Sequence, residues 1–262
     1  MTNITHEHIS ALFKKGLRED NRDLLSYRKP ITIETGVSSR SAEGSARVKI
    51  GDTEVVAGVK LGVDTPYPDT PDRGNLIVTA ELIPLSSSAF ESGPPSIESI
   101  ELSRVVDRGL RESECVDFEK LCITAGEKVW TVFVDIYPLN DDGNLFDAAF
   151  LAALAAIKDA RFPSYNKKDG TLDYDNRTST PLPLHCMPIS VTVIKIVDKI
   201  FVDPSMNEWN SHDARLTVVT TEDGNVCALQ KGGEAPLTVD DVHQMIDISL
   251  KKGAELRKLF SK

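Results

Sequence analysis

Residues 45–61 read SARVKIGDTEVVAGVKL. Apolar and polar side chains alternate along 45–50 and again along 54–61, and Gly51-Asp52 separates the two runs. Period-two runs joined by a Gly-Asp turn predict a β-hairpin, and this one is expected to sit within an antiparallel sheet. Residues 31–35, ITIET, alternate in the same way and predict a third strand on its N-terminal side.

Further outward the pattern changes period. Ile9, Leu12, Phe13 and Leu17 recur at helical spacing, so an amphipathic helix is expected over residues 7–19, with Lys14, Lys15 and Arg18 on its polar face. Downstream, the Pro-rich residues 65–73 predict a loop, 75–84 a strand, and the Ser/Gly/Pro stretch 86–95 a loop leading into a helix over 97–112. Strands are expected at 121–123 and 129–136. The Ala-rich run 146–157 is apolar on every side, which predicts a helix buried between layers, and it is too short to span a membrane. Polar residues 167–177, with Asp-Gly and Asp-Asn turn signals, are expected to mark the crossing to a second half. Strands follow at 191–197, 199–202, 215–220 and 226–230, before a closing helix over 239–260. Strands then helices, occurring twice, give an α+β architecture of two related halves, 30–165 and 185–260, with no solenoid repeat.

The chain has 262 residues, 40% hydrophobic and 27% charged, so it can bury a sizeable core without disulfides. A net charge of -10 and a pI near 5.0 exclude a protein that coats nucleic acid over its whole surface, so any RNA contact has to be a local basic patch. Cys115, Cys122, Cys186 and Cys227 form no C-x-x-C pair and are expected to be reduced core thiols. The polar N-terminus lacks the apolar segment of a signal peptide, no run reaches membrane-spanning length, and a cytoplasmic location is expected.

The R-E-D-N-R-D opening at 18–23, the strand pair around Gly44-Ser45-Ala46-Arg47-Val48, the helix carrying Leu102-Ser103-Arg104-Val105-Val106-Asp107-Arg108, and the apolar helix after Asp142-Gly143 together resemble the RNase PH family. The likeness runs over nearly the whole chain and is nearest to the non-catalytic ring subunit of archaeal exosomes. Ser26-Tyr27-Arg28-Lys29-Pro30 and Asp203-Pro204 belong with it. The resemblance implies one RNase PH-like domain over 1–262, with a ribosomal-protein-S5-domain-2-like α+β fold: two β-sheets with helices packed between and around them. It further implies a hetero-hexameric ring, a trimer of heterodimers with a catalytic RNase PH-like paralogue, carrying RNA-binding cap subunits and threading single-stranded RNA. Active members of the family use phosphate to shorten RNA from its 3′ end and release nucleoside diphosphates. No cofactor, metal or membrane partner is expected for this chain.

Three elements surround the scissile bond in active members, and the resemblance sets each against residues of this chain. The first is an arginine on the ring-facing helix. Arg104, Arg108 and Arg111 lie at i, i+4 and i+7, so a helix is expected to place all three on one narrow face, suited to an RNA backbone through guanidinium donors that stay charged. The other reading is a solvated face that pairs with Glu101, Asp107 and Glu112. The second element is a Gly-Ser/Thr-Arg turn that cages phosphate. Asn144, Leu145 and Phe146 stand in its place, replacing hydroxyl and cation with apolar bulk, while Asp141, Asp142 and Asp147 are expected to add repelling charge. The third is a carboxylate pair on a later strand that holds Mg²⁺. Here Asn207 and Asp213 occupy the two positions, and Glu208 is expected to point to the opposite side of an extended strand.

No other constellation competes. His185, Cys186, Ser190 and Asp198 are close in sequence, but no G-x-S-x-G turn accompanies them, so packing or solvation is the expected role. Gly232-Gly233 lacks the Lys-Ser/Thr of a P-loop. The chain is therefore expected to be catalytically silent, structuring the active site of its paralogue and helping to bind RNA. A diverged phosphorolytic exoribonuclease and a pure ring scaffold without RNA contact are the alternatives.

Overall fold

The computed structural model describes residues 3–166 and 169–261. The expected hairpin is there: β2 (Gly44–Ile50) and β3 (Thr53–Asp64) pair antiparallel with Ala46 opposite Ala57 and Val48 opposite Val55. The alternation has its physical cause in burial, since Ala46, Val48, Ile50, Val55, Ala57 and Val59 are all fully buried on one face. Around it a six-stranded sheet is ordered β1 (Ile31–Thr35), β2, β3, β6 (Lys128–Asn140), β4 (Asn75–Ala80), with β5 (Cys122–Thr124) also on β6. This sheet is mixed rather than antiparallel, because β4 pairs parallel with β6, Leu76 opposite Val132. A parallel neighbour needs a crossover, and α2 (Ile97–Glu112) supplies it between β4 and β6.

The second sheet is antiparallel, ordered β10 (Lys199–Val202), β9 (Ile189–Ile196), β11 (Ala214–Thr220), β12 (Val226–Gly232). Helix α3 (Leu145–Asp159) lies between the two sheets, and every residue from Phe146 to Ile157 is buried. That explains a helix without a polar face: it touches β2 and β3 on one side, β9 on another, and α2 beside it. Gly109 of α2 permits the last contact, because a Cβ there would stand 2.5 Å from the Phe150 ring. One apolar core runs through both sheets, joining Val59 and Ile136 to Phe150, Val191, Val218 and Met245 of α5 (Val239–Arg257).

Four further expectations change. Helix α1 is Asn3–Lys14, not 7–19, because Gly16 in the left-handed region (φ 72°) closes it, with the N–H groups of Lys15 and Gly16 donating to Leu12 and Phe13. Arg18 therefore leaves the helix and is buried, not on a polar face. Residues 167–177 are not a simple crossing. From Thr171 onward they form β8 (Thr171–Pro181), which pairs with β7 (Arg161–Asn166) as a separate hairpin, while the expected Lys167 and Lys168 fall outside the described residues. Phe162 and Tyr165 anchor that hairpin on the buried Trp130, with ring centroids 5.0 and 5.7 Å away. Of the four free cysteines only Cys115 is fully buried. Among the described residues no helix is long and apolar enough to cross a membrane.

Candidate functional site

Helix α2 starts at Ser96, whose Oγ accepts the Ser99 N–H at 3.2 Å, and it buries Leu102, Val105, Val106 and Leu110. That fixes the rotation of the helix and turns Arg104 and Arg108 outward, where both are exposed. They line a cleft of about 220 Å³ between α2 and the strands β11 and β12, together with Glu101 of α2, Thr217 and Val219 of β11 and Gln230 of β12. Among the described residues neither Arg104 nor Arg108 has a hydrogen-bond or ion-pair partner. Two free guanidinium groups one helical turn apart form a local basic patch whose chemistry suits an anion.

Arg111 does not join them. Its Nη2 donates to Asp107 Oδ1 at 2.6 Å and to the Leu76 carbonyl of β4 at 2.8 Å. Helical spacing sets the direction of a Cα–Cβ bond, but a long flexible side chain takes the nearest strong acceptors, and the sheet edge at β4 offers one. The arginine trio thus divides into a free pair in the cleft and one arginine engaged with Asp107.

At the turn before α3, Asn144 is the N-cap residue in a left-handed conformation (φ 56°, ψ 40°), and it is buried. Its Nδ2 donates to Asp147 Oδ2 at 3.1 Å and to Asp203 Oδ1 at 3.0 Å. Phe146 is buried against Trp209, ring centroids 5.7 Å apart. A cation does stand here, but it comes from β11: the Arg215 guanidinium lies 4.5 Å from the Phe146 centroid and 5.4 Å from that of Trp209, and its Nη2 meets Glu101 Oε1 at 2.5 Å. The turn is filled by a stacked Phe146–Arg215–Trp209 assembly.

The expected repelling charge at Asp147 is a correction. That carboxyl is fully buried and points inward, accepting the Tyr27 hydroxyl at 2.7 Å, the Thr192 N–H at 2.8 Å and the Asn144 amide. Burial pushes it up to about 7 in spite of those donors. Asp142 is occupied as well, with Oδ2 2.8 Å from Arg28 Nη1. Of the three acids only Asp142 makes an ion pair among the described residues; Asp141 accepts the Gly143 N–H at 3.0 Å, and partial burial raises its carboxyl too. Steric filling, more than charge, closes the turn.

Asn207 and Asp213 are not on one strand. Asn207 sits in the short helix α4 (Met206–Asn210), whose Ser205 and Glu208 form a reciprocal capping box. Its Nδ2 donates to both carboxylate oxygens of Glu19, at 3.2 and 3.0 Å. Asp213 lies beyond the helix and accepts the Val197 N–H at 2.5 Å. Glu208 is buried and not on the far side of a strand: Arg18 Nε donates to it at 2.9 Å, and a second Arg18 nitrogen contacts its other oxygen. The sequence signal for this helix was Ser205-x-x-Glu208. Among the described residues no group of three or more His, Cys, Asp or Glu gathers as a metal site.

His185 does not form a nucleophile–base pair. Its Nε2 is 2.9 Å from Asp117 Oδ2, Cys186 is pushed up to about 11 mainly by burial, Ser190 is buried within β9 and Asp198 pairs with Lys199. The residues missed in the sequence are Arg215 and the buried Arg28–Asp203 pair. Nothing local marks Arg215, since its partners come from α2, α3 and α4.

The geometry can be set beside known proteins. The exosome complex component Rrp42 of Methanothermobacter thermautotrophicus is 45% identical over 259 residues, covering 99% of this chain and 95% of that protein. The Rrp42 component of Archaeoglobus fulgidus is 45% identical over 260 residues, covering 99% and 97%. Among solved structures, a chain of the Archaeoglobus fulgidus exosome with RNA bound to the active site superposes with a TM-score of 0.90 at 46% identity, covering 98% of each chain. A chain of an archaeal exosome core gives 0.87 at 43% identity, covering 99% and 97%. Domain 1 of the 3′ exoribonuclease family matches residues 28–163, and domain 2 matches residues 186–252. By sequence, fold and the arrangement of its two sheets around α3, this chain belongs to the 3′ exoribonuclease, or RNase PH, family.

Proposed function

We propose that the chain is the non-catalytic RNase PH-like subunit of an archaeal exosome ring. It alternates with a catalytic paralogue as a trimer of heterodimers beneath RNA-binding cap subunits, helps to structure the paralogue's active site, and binds single-stranded RNA during 3′-to-5′ phosphorolysis. The relatives named exosome components support the assembly. Four unpaired cysteines suit a reducing cytoplasm.

One observation carries the division of labour: Arg104 and Arg108 stand free in the cleft, while the turn that would cage phosphate is packed with Phe146, Arg215 and Trp209. RNA-holding chemistry is present and phosphate-activating chemistry is not. The full chain is assayed alone and assembled with its paralogue for phosphate-dependent release of nucleoside diphosphates. Release by the isolated chain overturns its silence. Charge reversal, Arg104→Glu with Arg108→Glu, is expected to weaken RNA binding by the assembled ring and flatten its salt dependence by about one unit per arginine. Unchanged binding leaves a scaffold without RNA contact.

A further inference from the structure

We propose that Arg215 is a positioning residue for RNA binding: by holding Glu101 it keeps Arg104 free for phosphate. The inference rests on the RNA-binding reading of the cleft.

Helix α2 carries Glu98, Glu101, Asp107 and Glu112, and two of these acids flank Arg104 at helical spacing. Glu101 lies three residues before Arg104 and Asp107 three residues after it, the spacing at which side chains of a helix meet. An unengaged carboxylate at either position pairs with Arg104, and an RNA phosphate then has to displace it. Each of these two acids is instead held by another arginine. Asp107 is held by Arg111, and Glu101 by Arg215, with Gln230 Nε2 donating to the same Oε1 at 3.3 Å.

The seat of Arg215 is built for that single contact. The residue is buried, its guanidinium lies over the Phe146 and Trp209 rings, and among the described residues Glu101 is its only carboxylate partner. Its third wall is Gly232, where a Cβ would stand 2.4 Å from Arg215 Nε, so any larger residue would push the guanidinium away. Phe146 occupies the place where the resemblance puts an arginine in active members. The apolar ring that removes a phosphate-caging cation is thus the surface on which Arg215 rests to reach Glu101. Loss of the phosphate turn and release of Arg104 are one construction.

The test measures binding of a fluorescein-labelled single-stranded oligoadenylate to the chain assembled with its catalytic paralogue, over a range of salt, in phosphate-free buffer that prevents phosphorolysis. Arg215→Met is expected to weaken binding about twofold to fivefold, the range of one newly formed exposed ion pair, and to flatten the salt dependence. Adding Glu101→Gln to Arg215→Met is expected to restore binding and slope, because the freed carboxylate is gone. Wild-type binding by Arg215→Met overturns the proposal. So does a double variant as weak as Arg215→Met, which makes Arg215 a purely structural residue. Charge reversal at Arg104 and Arg108 runs alongside: if it leaves binding unchanged, the reading of the cleft fails, whereas if it weakens binding and Arg215→Met does not, only the role of Arg215 fails.

Discussion

Arg28 and Asp203 are 175 residues apart in sequence and meet as a bidentate pair in the interior, Nε to Oδ2 at 3.0 Å and Nη2 to Oδ1 at 2.9 Å, with the Arg28 backbone N–H also on Oδ2. Asp203 takes further donors from Arg22 and Asn144, and Arg28 reaches on to Gly143 and Asp142. The pair ties the chain entering β1 to the end of β10 and to the turn before α3. Removing one partner of a buried ion pair strands the other, at a cost of roughly 3–5 kcal/mol. Asp203 has positive φ (50°), which asparagine tolerates, so Asp203→Asn isolates the charge. Urea denaturation is expected to show a loss of at least ~3 kcal/mol for Asp203→Asn, against under ~1 kcal/mol for the exposed pair lost in Lys199→Ala. Equal losses would mean that the buried pair adds nothing beyond surface charge.

Asp147 gives the molecule a pH dependence opposite to that of an ordinary salt-bridged acid. Its folded carboxyl is raised to about 7 from an ordinary 3.8, so between these values the folded chain binds a proton that the unfolded chain has released. Stability from this group is therefore greatest below about pH 4, falls as pH rises toward 7 and then levels, with a slope of ~1.4 kcal/mol per unit at most. Asp147→Asn removes the titration. The stability of the variant relative to wild type is expected to rise between about pH 4 and 7, as read by denaturation at each pH. A flat difference would show that the three donors keep the carboxyl ionised.

What the sequence disclosed and what it hid follow from range. The hairpin at 45–61 and the helix over 97–112 were legible because alternation, helical spacing and the Ser/Gly/Pro stretch before Ile97 are local signals. The α3 run was legible for the same reason: an all-apolar helix has to be sandwiched. The first helix ends short of the apolar spacing that continues to Leu17, because Gly16 stops it. Asn207 and Glu208 are expected on an extended strand by the family likeness, whereas Ser205 and Glu208 carry the capping signature of a helix. At the site, the family likeness located Asn144, Leu145 and Phe146, but the physical reason that the turn is closed lay with Arg215 and Trp209. Their approach to Phe146 depends on the second sheet packing over α3, which no spacing along the chain encodes.

Gly143 tests how tightly that turn is packed. It has φ 91°, and a Cβ there would stand 2.6 Å from the Pro204 carbonyl oxygen and 2.8 Å from the Ser205 carbonyl carbon, backbone atoms that cannot swing aside. Gly126 has a similar φ of 76° with nothing within 4 Å of its would-be Cβ. Gly126→Ala is expected to cost about 1 kcal/mol, the conformational share alone, and Gly143→Ala roughly 1–3 kcal/mol more. Thermal and urea unfolding of the two variants check this, and equal costs would mean that the loop carrying Pro204 yields without strain.

On the proposed silent reading, the filled turn also predicts that rewriting its residues does not give phosphorolysis. Asn144→Gly, Leu145→Ser, Phe146→Arg and Asn207→Asp together rewrite the positions where the resemblance sets the phosphate turn and the missing carboxylate. In this structure the new Arg at 146 replaces the ring on which Arg215 rests at 4.5 Å, placing two cations side by side in a buried space where, among the described residues, Glu101 is the carboxylate that meets Arg215. The new Asp at 207 faces Glu19, which now accepts two contacts from the Asn207 amide and would instead be repelled. Asn144→Gly also removes the amide that bridges Asp147 and Asp203. The quadruple variant of the full chain is expected to be destabilised by several kcal/mol, on the order of the sum of a buried unpaired charge and lost hydrogen bonds. It is also expected to release no nucleoside diphosphate from single-stranded RNA with phosphate and Mg²⁺. Adding Arg215→Ser and Trp209→Ala should recover part of the stability by clearing room for the new cation. Phosphorolysis by the quadruple variant alone would show that sequence identity at the turn, and not the packing of Arg215 against it, decides whether the site is silent.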